Sequence, residues 1–221
     1  MQLQALRSES PLTPRQGEVL ESALALLVES GDAFTMTALA QRANCSKETL
    51  YKWFGDREGL LTATVRYQAA KVRVAPLDPA RLDSASLRAA LTAFATDLLT
   101  VIAGETSVAL NRLAVANAQT GQGLGRLVLQ NGRHAIARRL KPVLETARSL
   151  RLLSFADAES AYRTFFGLVV RDAQIRLLLG DRFDTGAAIL KREAAEAVDQ
   201  FLSLYATKSN WRRGARPHER E

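Results

Sequence analysis

The fold is decided by residues 35–54, which read TMTALAQRANCSKETLYKWF. Thr35 can cap a first short helix and Ser46 a second one that ends at Phe54, because a side-chain oxygen there can accept from a backbone amide of the first turn. Asn44 lies between them and tolerates the left-handed conformation in which helices often end. The stretch therefore predicts two short helices joined by a tight turn.

These two helices can share a small core and leave one face polar. Leu39 on the first helix, with alanines beside it, offers a close crossing for Leu50 and Phe54, which lie four residues apart on the second. At about 100° per residue, the other side chains of the second helix point away from the crossing. This polar face is a candidate surface for reading a DNA major groove, and it consists of Glu48, Tyr51 and Lys52, with Thr49 at its flank.

Two further helices flank this pair. The earlier one starts at a capping box of Thr13 and Gln16, with Pro14 in the first helical position, and is expected to end at Gly31. The later one, capped by Asp56, is expected to run to about residue 74.

Composition favours helix over sheet throughout the chain. Ala, Leu and Arg dominate the 221 residues, and no segment alternates apolar and polar residues with a period of two. The expected fold class is therefore all-α, with about nine helices. The later helices are expected at 84–103, 106–119, 122–150, 155–179 and 185–206, and Pro142 is expected to kink or split the third of these.

The chain divides most clearly between Pro76 and Pro79, because prolines so close together disfavour a continuous helix. The predicted organisation is a flexible N-terminal segment over 1–13, a three-helix helix-turn-helix head domain over 14–75, a C-terminal helical domain over 76–207 and a basic disordered tail over 208–221.

The net charge of +7 suggests a polyanionic partner but does not place it on the head domain. Residues 1–75 hold nine basic and eight acidic side chains, whereas 126–151 hold seven basic and one acidic. The basic stretch can favour an acidic effector or form a charged outer face, and we prefer the second interpretation.

Few residues of the sequence are candidates for enzymatic chemistry. The chain has one cysteine, Cys45, and two histidines, His134 and His218, without metal-ligand spacing or a nucleophile motif. The glycine cluster over 121–125 follows a helix rather than a strand, so we interpret it as a helix break and not as a nucleotide loop. We expect no enzyme, no cofactor and no metal, and we interpret Cys45 as a packed small side chain rather than a redox thiol.

Targeting signals are also absent from the sequence. No basic-then-apolar leader pattern opens the chain, and no uninterrupted apolar run approaches about 18 residues. We therefore expect a cytoplasmic protein that does not associate with membranes.

A known pattern extends over residues 31–61, which read GDAFTMTALAQRANCSKETLYKWFGDREGLL. Glycine followed by an aromatic residue, then Thr, Leu-Ala, Ala-x-x-Ser, Leu-Tyr-x-aromatic-Phe, a basic residue, Glu and Leu-Leu occur in this order. The run resembles the N-terminal domain of the tetracycline-repressor (TetR) family of bacterial regulators. It departs from that family at Asn44 and Cys45, where Gly-Val is common, and at Trp53, where Tyr or His is common. The alternative is that residues 35–54 are merely two packed helices of an all-α protein.

The resemblance implies a function and a set of DNA contacts. It implies a homodimeric repressor that binds double-stranded DNA at a palindromic operator and is released by a small-molecule effector, still unidentified. The candidate DNA-binding residues are Thr35, Thr37, Ser46, Lys47, Thr49, Tyr51, Lys52, Trp53 and Arg57. By chemistry, Lys47 suits a guanine edge and the Thr49 methyl a thymine methyl. Tyr51, Lys52 and Arg57 suit phosphate oxygens, as Thr35 and Thr37 do by resemblance.

The C-terminal domain offers candidates for an effector pocket. Polar residues interrupt its apolar helices, and aromatic residues could line a cavity. The candidates are Phe94, Asn111, Asn117, Asn131, His134, Tyr162, Phe165 and Phe166. Core packing or ordinary solvation is the alternative for each of them. An effector in this domain is expected to act by rotating the junction at Pro76–Pro79.

The last two predicted helices offer candidates for a dimer interface. Gly167 permits close approach, and the apolar stripes of both helices suit a four-helix contact between two copies. The candidates are Gly167, Val170, Ala194, Val198 and Phe201. The alternative is that these stripes bury against the same chain. A further alternative function is a constitutive DNA-binding regulator that has this fold but no ligand control.

Overall fold

A computed structural model describes residues 12–30, 34–119 and 123–207, and all structural statements concern those ranges. The expected helix end at Gly31, most of the predicted flexible segment over 1–13 and the predicted tail over 208–221 lie outside the described residues.

The head domain forms as its capping residues predict. It contains α1 (Pro14–Ser30), α2 (Met36–Arg42), α3 (Lys47–Phe54) and α4 (Arg57–Ala70). The hydroxyls of Thr35 and Ser46 accept from the amides of residues 38 and 49, and the Asp56 carboxylate accepts from the Gly59 amide at 2.8 Å. Three helix starts are thus fixed by local side-chain contacts.

The turn between α2 and α3 has the conformation expected from the sequence. Asn44 has a φ of 47° and is left-handed. The next amide, of Cys45, donates to the Ala40 carbonyl at 3.0 Å. The Cys45 side chain is half-buried, packs against the head core and also lines an open depression beside the turn. Leu39 and Leu50 are fully buried at the crossing of the two helices, as predicted.

The C-terminal domain is a bundle of helices with no strand among the described residues. A 3₁₀ turn (Pro79–Arg81) leads into it. Its helices are α5 (Ser84–Ala103), α6 (Glu105–Ala116), α7 (Leu124–Val128), α8 (His134–Ser149), α9 (Ala158–Val170), α10 (Ala173–Leu178) and α11 (Ala187–Tyr205). A π-helical turn (Leu129–Arg133) connects α7 directly to α8.

Nine expected helices become eleven segments in the described ranges because two long ones are divided. The expected helix over 155–179 breaks at Arg171, whose φ is 46°. The expected helix over 122–150 changes to π geometry at Leu129–Arg133, whereas α8 passes through Pro142 without ending. The prediction of a split at Pro142 was wrong. Pro142 and residue 138, whose carbonyl it leaves unpaired, both lie on the solvent face, where water can hydrogen-bond to that carbonyl.

Helix α5 is the centre of the C-terminal core. Phe94 of α5 lies 6.0 Å from Phe165 of α9, whose ring in turn stands edge-to-face 5.2 Å from Phe201 of α11. Among the described helices, α5 is also the one that is long and apolar enough to cross a membrane by length and composition. Its buried apolar side chains form a core with α9 and α11.

Helix α4 belongs to both cores. Leu60 and Leu61 lie in the head core, which is completed by Leu110 and Leu113 of α6. At its other end, Ala69 is part of the C-terminal core. The prolines at 76 and 79 follow α4, and packing is continuous across α4.

Helix α4 ends at Ala70, before the expected residue 74, for an identifiable reason. The Arg139 guanidinium of α8 donates to the Ala69 carbonyl at 2.7 Å and to the Val72 carbonyl at 2.9 Å. A cation that satisfies the last free carbonyls of a helix stabilises that end.

Gly59 provides a test of how closely α4 follows α3. A Cβ at Gly59 would stand 2.0 Å from the Phe54 carbonyl oxygen, which is backbone and cannot rotate away. We expect Gly59→Ala to lower the free energy of unfolding by about 1–3 kcal/mol, measured by urea denaturation at fixed protein concentration. Gly17→Ala in α1 is the matched control, because its Cβ would make an ordinary 3.9 Å contact with Tyr67. That variant should gain roughly 0.5–1 kcal/mol. Equal effects of the two substitutions would contradict the close approach.

Candidate nucleic-acid interface and ligand cavity

The outer face of α3 is polar and open. Leu50 is fully buried and Phe54 half-buried, so this pair anchors the helix as predicted. Lys47, Tyr51 and Lys52 are exposed, and Tyr51 leaves 53% of its surface in solvent although it is a large aromatic residue. An exposed aromatic residue between two lysines gives this face both cationic and hydrogen-bonding groups.

The start of α3 is fixed by a small hydrogen-bond cluster. The Ser46 hydroxyl accepts from the Thr49 amide at 3.1 Å and lies 3.1 Å from the Thr49 hydroxyl. The pKa of the Glu48 carboxyl is lowered, because its own amide and the Ser46 hydroxyl hydrogen-bond to the carboxylate. The Glu48 negative charge therefore lies at the positive end of the helix dipole, where it stabilises the helix.

The turn side of the head domain brings some predicted residues together. Thr37, Ser46 and Lys47 line one open depression beside the turn. Thr35 is exposed at the start of α2, where its hydroxyl oxygen accepts the capping hydrogen bond. These side chains form a continuous polar region with the outer face of α3.

Trp53 and Arg57, which are among the predicted DNA-binding residues, are only partly exposed. Trp53 is half-buried and packs edge-to-face on Phe54 at 6.1 Å, so part of its indole belongs to the head core. Arg57 is half-buried in a groove that Phe34 and Asn117 also line, between the head and C-terminal domains. It does not share the depression beside the turn.

Sequence reasoning missed Arg15, which holds the turn from α1. Its Nη2 donates to the Ala43 carbonyl at 2.6 Å and to the Asn44 carbonyl at 3.3 Å, while its Nη1 is paired with Glu18. The arginine appears in the sequence only as part of a helix start, because its partners lie 28 and 29 residues away. Its contacts close the end of α2 and tie the turn before α3 to α1.

Helices α2 and α3 cross over a buried contact, both have capped starts, and α3 has a polar outer face. These features define a helix-turn-helix DNA-binding protein with an added all-α domain. Residues 19–64 match the family model "Bacterial regulatory proteins, tetR family", and residues 89–207 match "AefR-like transcriptional repressor, C-terminal domain". The chain belongs to the TetR family of bacterial transcription regulators, as its resemblance implied.

Individual relatives match this chain over most of their length. The "HTH-type transcriptional regulator BetI" of Burkholderia thailandensis is 30% identical over 200 residues, which cover 86% of this chain and 94% of that protein. A crystal structure of a TetR transcriptional regulator from Agrobacterium tumefaciens is 46% identical, with a TM-score of 0.78 over 91% of this chain and 99% of that one. The structure of the "Flavonoid-responsive Regulator FrrA" is 30% identical, with a TM-score of 0.63 over 88% and 98%.

A partly open cavity of about 200 Å³ lies where α4 meets the C-terminal domain. Helices α4, α5, α6, α7, α8, α9 and α10 and the π-helical turn contribute to its wall. The lining is mostly apolar and consists of Val65, Gln68, Ala69, Leu98, Val101, Ile102, Ser107, Leu110, Asn111, Val128, Leu129, Gly132, Arg133, Ile136, Phe166 and Gln174.

The structure brings two of the predicted pocket residues, Asn111 and Phe166, into this cavity. Phe94 and Phe165 are core residues. Tyr162 is also in the core, where burial raises its pKa to about 12 and keeps the phenol neutral.

The other predicted pocket residues lie elsewhere. His134 is exposed, and Asn117 lines the groove that holds Arg57. Asn131 is buried, but its amide is satisfied internally, because its oxygen accepts from Arg66 at 2.8 Å and its nitrogen donates to the Leu127 carbonyl at 3.1 Å.

Gln68 is the polar cavity residue that sequence reasoning missed. It is 7% exposed, its Nε2 donates to the Ser107 hydroxyl at 3.4 Å, and its Oε1 has no partner among the described atoms. A signal was present in the sequence, since Gln68 interrupts the helical apolar spacing of Val65, Ala69 and Val72. A buried amide oxygen without a donor is costly unless a water or a ligand supplies one.

The predicted dimer residues are mainly internal. Val170, Ala194, Val198 and Phe201 are buried in the core of the same chain, and Gly167 is exposed on α9. These four side chains hold α9 and α11 to the rest of the bundle. Among the five candidates, Gly167 is the one that lies on an open face.

No cluster of three or more His, Cys, Asp or Glu side chains is arranged to hold a metal ion in the part of the chain that the structure describes.

The Arg15 contacts provide a test of how the turn is held. Arg15→Met keeps the apolar stem but removes the donors to Ala43 and Asn44, and we expect it to lower the free energy of unfolding by about 1.5–3 kcal/mol. It should also speed amide hydrogen exchange in the turn. Glu18→Gln is the matched control, because it removes only the exposed ion pair and should change stability by less than about 1 kcal/mol. Unfolding in urea and exchange by NMR measure both, and identical values for the two variants would refute the role assigned to Arg15.

Proposed function

We propose that the protein is a homodimeric repressor that binds a palindromic operator through its head domains and is released by a small molecule in the C-terminal cavity. The observation that carries this proposal is the placement of α4. The N-terminal half of α4 packs under α3, and its C-terminal half contributes Val65, Gln68 and Ala69 to the cavity wall. A ligand in the cavity therefore touches the same helix that supports the reading helix.

DNA contacts follow from the open face of α3. We assign base reading to Lys47 and Thr49, at the start of the helix, and phosphate contacts to Tyr51 and Lys52. Thr35, Thr37 and Ser46 would add phosphate contacts beside the turn. Two copies on a two-fold axis would place two reading helices in successive major grooves, which accounts for a palindromic site.

Ligand control is supported by the size and nature of the cavity. About 200 Å³ is larger than the roughly 150 Å³ apolar cavity that holds benzene and smaller than sites for drug-sized molecules. An effector of one or two rings suits it. FrrA is described as flavonoid-responsive, which supports an aromatic effector in a relative of the same fold.

The conformational step is assigned to α4. The junction at Pro76–Pro79 does not contribute to the described cavity lining, whereas α4 contributes three residues. Ligand entry would shift α4 and with it the separation of the two heads in the dimer. The protein would act in the cytoplasm, where its operator lies.

Lys47 and Lys52 provide a test of the DNA assignment. On an operator identified by footprinting upstream of neighbouring genes, Lys52→Ala should weaken binding to all sequences and reduce the salt slope by about 0.9 per phosphate contact. Lys47→Ala should relax preference at one base pair by about 1–3 kcal/mol. Fluorescence anisotropy at several salt concentrations measures both, with exposed Lys191→Ala on α11 as the control. Loss of sequence preference in Lys52→Ala with an unchanged salt slope would overturn its assigned role.

Ligand screening tests control by an effector. We expect one class of small aromatic compounds to raise the melting temperature, because a ligand that binds the folded state stabilises it. The same compounds should weaken operator binding, because a ligand that binds the DNA-free conformation more tightly must lower the affinity for DNA. Compounds outside that class should do neither. A constitutive regulator of the same fold is the alternative, and stabilisation without any change in operator affinity would favour it.

A further inference from the structure

The cavity contains one polar group that the protein itself leaves unsatisfied. Gln68 is 7% exposed, lines the cavity and has no donor for its Oε1 within the described structure. The amide nitrogen of the same side chain is directed to Ser107 on α6, at 3.4 Å. A buried acceptor left without a donor costs about 1–3 kcal/mol, which a ligand that donates there can recover.

We propose that the effector is a small neutral aromatic molecule with a hydroxyl group, and that this hydroxyl donates to Gln68 Oε1. The inference rests on the proposed function, since it names the ligand class of the same cavity. A hydroxyl suits the position because it can also accept from the neighbouring Ser107 hydroxyl.

The rest of the lining sets the remaining chemistry of the ligand. Neither Asp nor Glu is among the cavity residues, so the described wall offers a cationic ligand no counter-charge. Asn111 already uses its amide nitrogen on the Ser107 carbonyl at 2.7 Å. The remaining wall is dominated by aliphatic side chains, which favour a neutral, apolar body.

An aromatic wall closes one side of the cavity. The Arg133 guanidinium lies over the Phe166 ring, 4.0 Å from its centroid, and both residues line the cavity. Stacking on Phe166 engages the guanidinium and gives a flat surface against which a ligand ring can pack. The volume of about 200 Å³ limits that ligand to one or two rings.

The same contact links recognition to α4. Gln68 is on α4, and the neighbouring wall includes Leu129 and Gly132 of the π-helical turn. Arg66 of α4 donates to Asn131 in that turn at 2.8 Å, so α4 and the turn are tied together beside the cavity. A neutral ligand that hydrogen-bonds to Gln68 and packs against the π-helical turn would contact both α4 and that turn.

The test uses the full chain and a set of related probes. In calorimetric or fluorescence titrations, 2-naphthol should bind the wild-type protein about tenfold or more tightly than 2-methoxynaphthalene, which has the same rings but cannot donate. This comparison needs no substitution. Equal affinities for the two probes would overturn the proposal.

A substitution then locates the hydroxyl. Gln68→Met removes the acceptor at similar volume and should reduce the preference for 2-naphthol to about twofold or less, with naphthalene binding retained. Gln130→Met on the exposed side of the π-helical turn is the matched control and should keep the full preference. Loss of the preference in Gln174→Met but not in Gln68→Met would place the hydroxyl elsewhere and refute the assignment. Tighter binding of 2-naphthoate than of 2-naphthol would refute the neutral class, because it would indicate an anion held by Arg133.

The result for operator binding separates this inference from the proposed function. If Gln68 sets the preference for 2-naphthol while operator affinity is unchanged by the probe, the site assignment stands and ligand control fails. If another compound class releases the operator equally well from wild-type protein and from Gln68→Met, ligand control stands and the assignment to Gln68 fails.

Discussion

Helix α4 is buried on two sides, and this constraint determines how the two parts of the chain relate. Leu60 and Leu61 are almost fully enclosed by the head core, while Ala69 and Val72 lie in the C-terminal core. Each large side chain buried in this way contributes about 1.5–3 kcal/mol. The head domain therefore cannot reorient independently of the bundle unless α4 shifts within both cores.

Arginines from distant elements close several helix ends around this arrangement. Arg139 of α8 caps α4, Arg15 of α1 closes α2, and Arg112 of α6 donates to the last carbonyls of α10 at 2.8 and 3.2 Å. Burial lowers the pKa of Arg139, with a smaller effect from neighbouring Arg138. A guanidinium can lose part of its hydration at such a site because the helix carbonyls and the dipole replace it. Tertiary contacts thus fix where these helices end.

The sequence was sufficient wherever the determining contact is local. The caps at Thr35, Ser46 and Asp56, and the left-handed Asn44, act within a few residues and were predicted correctly. The end of α4 could not be predicted, since its Arg139 cap lies 70 residues away from Ala69. Most of the cavity residues were missed for the same reason: they come from seven helices and a turn, and only packing distinguishes them from ordinary core.

The magnitudes show why one buried acceptor can matter for regulation. Coupling between an effector and DNA is typically about 1–3 kcal/mol and is reciprocal, so DNA must weaken effector binding by the same factor. Satisfying a buried amide oxygen recovers a similar about 1–3 kcal/mol. The Gln68 oxygen lies on α4, the helix whose position both cores depend on. A single hydrogen bond there is therefore large enough to shift the balance between two positions of α4, provided that the ligand reaches Gln68 in one of them and not in the other.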